Sequence, residues 1–157
     1  MAEIALLASI LQIADIGIRL SIRLYTFGET VANANRNVLS LSKDLSLTSS
    51  VLKELGHAFE GDRDRIHSQN AVRTAQEVAQ ECSSVFAEVD DLLLKKVPNL
   101  MLGTVDKKSR AKAVIERLRL PNLTFKIDHL NCNLDRLKST LSLMLNVIIY
   151  ARQVSSR

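Results

Sequence analysis

A chain of 157 residues suits one domain with a sizeable core. Five glycines, two prolines, six aromatic residues and no tryptophan exclude a many-turned β fold and favour long helices. The net charge of +4 is modest, and two cysteines without short spacing exclude a disulfide framework or a zinc-binding cysteine motif. Cys82 and Cys132 each fall inside an apolar helical pattern. Both are expected to be reduced core residues of a cytosolic protein.

The first helix is predicted from Ala2 or Glu3 to Tyr25, with Gly28 as its stop. Ile4, Leu7, Leu11, Ala14, Ile18 and Tyr25 mark its stripe. Leu6, Ile10, Ile13, Leu20 and Leu24 widen that stripe beyond one face. Gln12, Asp15, Arg19 and Arg23 form the remaining narrow polar strip. Glu3, ahead of the apolar run, and the charges within it speak against a cleavable signal peptide and a stable single transmembrane helix. A helix this apolar is either central in a bundle or partly destined for lipid. Small residues four apart, Ala5 with Ser9 and Gly17 with Ser21, would permit close helix approach in lipid.

The second helix is predicted from about Glu29 to Glu60. Its stripe is Val31, Ala34, Val38, Leu41, Leu45, Thr48, Leu52, Leu55 and Phe59, stepping by three and four. Gly56 is read as softening its end, and residues 61–65 as a charged loop. The third helix runs from about Ser68, an N-cap residue, to Lys96 before Pro98. Ala75, Val78, Cys82, Val85, Val89 and Leu92 form its seam. Residues 99–120 are a connector in which Asp106 caps a short helix from Lys107 to Leu118. The last helix opens at Pro121 and holds roughly 35 residues, or about 50 Å. Its seam is the most regular: Leu123, Ile127, Leu130, Leu134, Leu137, Leu141, Met144, Ile148 and Ala151. Seams of this kind must close on one another, which predicts an all-α, up-down-up-down four-helix bundle with a short extra helix in the connector before the last helix. Residues 1–157 then form a single domain.

The histidines, His57, His67 and His129, have no metal-ligand spacing, and no Gly-rich phosphate loop occurs. Glu88, Asp90 and Asp91 read as a solvated acidic face. The chain is therefore read as not an enzyme, with no cofactor, metal or small-molecule substrate.

Charge is more informative. Residues 95–126 carry nine basic and two acidic side chains. Lys107, Lys108, Arg110, Lys112, Arg117 and Arg119 are the candidates for contact with anionic lipid or an acidic partner. The competing reading is a solvated connector that complements the acidic third helix. Nucleic acid is disfavoured, since no aromatic side chains suited to stacking interleave these bases.

Several stretches resemble a known family. The segment from Leu134 to Arg152, LDRLKSTLSLMLNVIIYAR, resembles the closing helix of the fungal N-terminal domain carried by STAND-type (NACHT or NB-ARC) proteins. The opening from Met1 to Asp15, and Asp44-Leu45-Ser46 through Ser50-Val51-Leu52, are similar to the same group. That group is similar to the HeLo and HeLo-like domains of fungal heterokaryon incompatibility. The resemblance covers nearly the whole chain and rests on helical patterning and short phrases. It implies a membrane-targeting, cell-death-inducing module that self-associates on activation, cytoplasmic at rest and relocating to the plasma membrane. It also implies that more protein follows this domain and that the first helix is the membrane-active element, with Ile4, Leu7, Ile10, Leu11, Ile13, Gly17 and Leu20 as insertion candidates. The chain departs from the family pattern in holding only Gly17 within the predicted first helix and in lacking a prion-forming segment. The alternative reading is a homotypic or heterotypic adaptor without membrane activity.

Overall fold

The computed structural model describes residues 2–30, 36–61, 69–95 and 121–155. The described residues are all helical, with no strand among them: α1 (Ala2–Thr30), α2 (Arg36–Gly61), α3 (Gln69–Val89) and α4 (Pro121–Ser155). A π-helical turn, Asp90–Lys95, extends α3. The predicted connector helix, Ser68 and the connector bases lie outside the described residues.

The seams close on a shared core, because apolar side chains at heptad spacing stay wet unless partner helices cover them. Leu41, Leu45, Leu52 and Leu55 of α2, Ala75, Cys82 and Val89 of α3, and Ile127, Leu134 and Leu141 of α4 are fully buried. Thr48 fits the α2 seam because its hydroxyl donates to the Asp44 carbonyl one turn back, at 2.7 Å. Ser21 of α1 is buried on the same terms, donating to the Ile18 carbonyl at 2.7 Å.

Cross-helix contacts fix the directions. Gly17 meets Ser49, and Gly56 meets Leu11, so α1 and α2 run antiparallel. Gly17 also meets Phe86, and Arg23 lies 3.7 Å from Asp90, so α1 and α3 run parallel. Arg136 donates to Glu81 at 2.9 Å, bridging α3 and α4. Arg152 donates to the Ala58 carbonyl and Asp44 faces Asp135 and Lys138, so α2 and α4 run parallel. Packing therefore runs around the ring α1, α2, α4, α3 and back to α1.

Several sequence expectations are corrected. Gly28 does not stop α1, which continues to Thr30. A glycine inside a helix costs only about 1 kcal/mol, and Phe27 packing on the core offsets that. Gly56 does not soften α2, which runs to Gly61; it lets Leu11 approach. Tyr25 and Ala151, assigned to seams, are exposed at the edges of their helices. Cys132 is exposed rather than in the core, because it lies between the seam positions Leu130 and Leu134, on the solvent side. Cys82 is buried as expected, and burial, assisted by the neighbouring Glu81 charge, pushes its thiol up to about 12. It stays a neutral thiol at ordinary pH.

The α2–α4 seam carries a titratable strain. Burial, then the nearby Asp135 charge, raises the Asp44 carboxyl above its ordinary value of 3.8, outweighing Lys138 and Lys43. A carboxyl that holds its proton more tightly when folded favours folding at low pH and loses that contribution as pH rises through the folded pKa. Asp44→Asn should therefore raise the melting temperature at pH 7. The gain should shrink as pH falls and vanish below 3.8, where both side chains are neutral. Thermal melts of both proteins at pH 3 to 8 check this.

Candidate functional site

The feature that sets α1 apart is its composition. By length and composition Ala5–Phe27 could cross a membrane, and an 18-residue window within it has a mean hydropathy of 1.6. It is so in spite of the charges that speak against a stable single transmembrane helix. Asp15 and Arg19 sit one turn apart and neutralise each other at 2.8 Å, so the interruption is small.

The structure brings most of the insertion candidates together in the core. Leu7, Ile10, Ile13, Gly17 and Leu20 are buried, and Leu11 is half-buried against Gly56. The Ile4 side chain lies outside the description. The polar strip of Gln12, Asp15, Arg19 and Arg23 is exposed as predicted. Ile16 and Ile22 are also exposed, so lipophilic groups already border that strip.

Gly17 is the centre of the seat. A Cβ there would overlap Ser49 Oγ and stand 2.6 Å and 2.8 Å from Phe86 Cε2 and Cζ. Three helices meet at a position without a side chain. Gly17 is thus small because α2 and α3 need the room, a closer cause than packing in lipid. Ser49 Oγ is buried there with no hydrogen-bond partner among the described residues. A buried orphan hydroxyl costs about 1–3 kcal/mol, so the junction is tight rather than optimised.

Among the described residues, two surface grooves lie beside the helices. One, of about 380 Å³, lies between α1 and α3 beside Arg19, Arg23 and Asp90. The other, of about 430 Å³, lies where the π-helical turn meets the start of α4. Glu88, Asp91, Lys126 and His129 line it together with Leu92, Phe125 and Leu130. Among the described residues that line it there is no serine, threonine or cysteine. Among the described residues no group of three or more His, Cys, Asp or Glu could hold a metal ion. Glu88 and Asp91 are exposed, as the acidic-face reading expects, whereas Asp90 is half-buried beside Arg23.

The surface that the periodicity missed is on α4. Beyond Ser139 its solvent side turns apolar, with Leu143, Val147, Tyr150 and Val154 exposed at steps of four, three and four. The signal was present as a second stripe beside the buried one. Lys107, Lys108, Arg110, Lys112, Arg117 and Arg119 lie outside the described residues. No family model, curated protein or solved structure matches the chain.

Proposed function

We propose that the chain is a non-enzymatic signalling and effector domain. In this reading it is a HeLo-like, up-down-up-down four-helix bundle of the kind carried by fungal STAND-type and heterokaryon-incompatibility proteins. It rests in the cytoplasm, self-associates when activated, targets the plasma membrane through its N-terminal helix and induces cell death. The extra connector helix and its bases belong to the same proposal, as the surface that meets anionic lipid.

One observation carries the reading: within the membrane-length apolar span Ala5–Phe27, the most apolar 18-residue window has 39% of its residues buried against the other helices. A helix stored this way is held by the core at rest. It becomes available when an opened state is favoured, and clustering supplies that bias by binding the opened state better. The pairwise helix directions support the bundle topology, and the resemblance of the last helix supports the role.

The test is flotation and dye leakage with liposomes containing anionic lipid, for the wild type and a forced oligomer. Binding at low salt is expected. Charge reversal of Lys107, Lys108, Arg110 and Lys112 should weaken it by roughly a thousandfold, at about 1 kcal/mol for each base near the surface and tenfold per 1.4 kcal/mol. Absence of binding by both proteins would remove the membrane reading.

The exposed side chains of α4 favour a second reading, an interaction adaptor without membrane activity. Indifference to liposomes together with stable self-association would select it.

A further inference from the structure

The strongest unassigned surface is the outer side of the C-terminal half of α4. Leu143, Val147, Tyr150 and Val154 are 66%, 60%, 69% and 56% exposed. Their spacing sets them in one line along the helix, the geometry of a seam that packs against another helix. At about 100 Å² each they present roughly 400 Å² of apolar surface, a patch of the size that marks interaction sites.

We propose that this stripe is a self-association surface, where α4 of a second copy of the chain packs antiparallel about a two-fold axis. The proposal deepens the self-association in the function above and does not depend on the membrane step.

Charge selects the partner. From Ser139 to Ser155 the only charged side chain is Arg152, and it is turned to the Ala58 carbonyl of α2. A strongly acidic or basic partner finds nothing there to pair with, and an anionic membrane finds no row of cations. The exposed Ser139 and Asn146 beside the stripe each donate and accept, so they suit a copy of themselves.

Charge also selects the direction. Upstream on α4, Asp128, Asp135 and Arg136 are exposed. A parallel pair would run each of these alongside its own copy, placing like charges together. An antiparallel pair centred between Val147 and Tyr150 carries the charged halves away from each other. It also opposes the two helix dipoles. Leu143 then lies against Val154 of the second copy, and Val147 against Tyr150. Two copies bury roughly 800 Å² before the polar flanks are counted, which is the range of weak, reversible complexes.

Sedimentation equilibrium on the full chain, without lipid, tests this. The wild type should show a reversible monomer–dimer equilibrium below millimolar concentration, as weak, small interfaces do. Val147→Lys and Tyr150→Lys should weaken the dimer at least tenfold while leaving the circular dichroism spectrum unchanged, since both positions are exposed. If either variant loses helicity, Leu143→Lys serves in its place. In a Cys132→Ser background, Leu143→Cys mixed with Val154→Cys should cross-link as a mixed disulfide in preference to either with itself. A wild type that stays monomeric at millimolar concentration would overturn the proposal. So would a dimer that survives all three lysine variants, or preferential cross-linking of Leu143→Cys to itself. Binding to neutral liposomes by a monomeric wild type, lost in Val147→Lys, would assign the stripe to lipid instead. The membrane reading of α1 would be untouched by any of these results.

Discussion

Gly17→Ala should destabilise the fold by about 2 kcal/mol, an overpacking cost near 3 kcal/mol set against roughly 1 kcal/mol of better helix propensity. The cause is local. The added methyl would overlap Ser49 Oγ and press on the Phe86 ring, a large side chain that is only 2% exposed. Gly56→Ala is the matched control. There the methyl meets Leu11 Cδ2 at 2.7 Å, the far end of a flexible, half-buried side chain that can swing outward. Its cost should stay within about 1 kcal/mol of the wild type, since the propensity gain offsets the displacement. Urea unfolding of the two variants should separate them clearly. Phe86→Leu in the Gly17→Ala background should recover part of the loss by making room for the methyl. Equal stability of the two alanine variants would mean that α1, α2 and α3 do not converge at Gly17.

That contrast shows which parts of the fold were legible in the sequence. A seam is a local pattern, so Leu41, Leu45, Leu52, Ile127, Leu134 and Leu141 could be placed in the core from spacing alone. Which helix covers which seam is a long-range fact that spacing does not carry. Gly17 and Gly56 therefore read as a small-residue motif and a helix-softening residue, until the neighbouring helices showed both as contact points. Cys132 and Ala151 failed for a related reason. Near the edge of a seam, one position around the circumference separates core from solvent, and periodicity does not resolve it.

The candidate site was legible in composition and not in geometry. The apolar breadth of the first helix was evident, and Leu7, Ile10, Ile13 and Leu20 are where a central helix would put them. The α4 stripe was overlooked because a regular buried seam on the same helix accounted for the obvious apolar residues. Leu143, Val147, Tyr150 and Val154 keep the same step pattern on another side, and only burial tells the two apart.

Phe86→Ala gives the release mechanism its most demanding trial. Phe86 is a large, fully buried side chain and packs directly on Gly17 of α1. Its loss should cost about 3–5 kcal/mol through the cavity left behind. If α1 is a stored element, much of that loss falls on its seat. Lowering the gap to the opened state by even about 3 kcal/mol would raise the opened fraction roughly a hundredfold, at tenfold per 1.4 kcal/mol. Liposome binding should then increase in a destabilised variant, the opposite of what damage to a folded docking surface would do. Leu134→Ala is the control, because Leu134 is fully buried on α4, which is not among the main partners of α1. It should cost about 2–5 kcal/mol while leaving the Gly17 junction intact. Flotation with anionic liposomes, run alongside circular dichroism to verify helicity, should rank Phe86→Ala above Leu134→Ala and both above the wild type. Similar binding by the two variants would mean that general loosening, rather than departure of α1 from its seat, exposes the lipid-seeking surface.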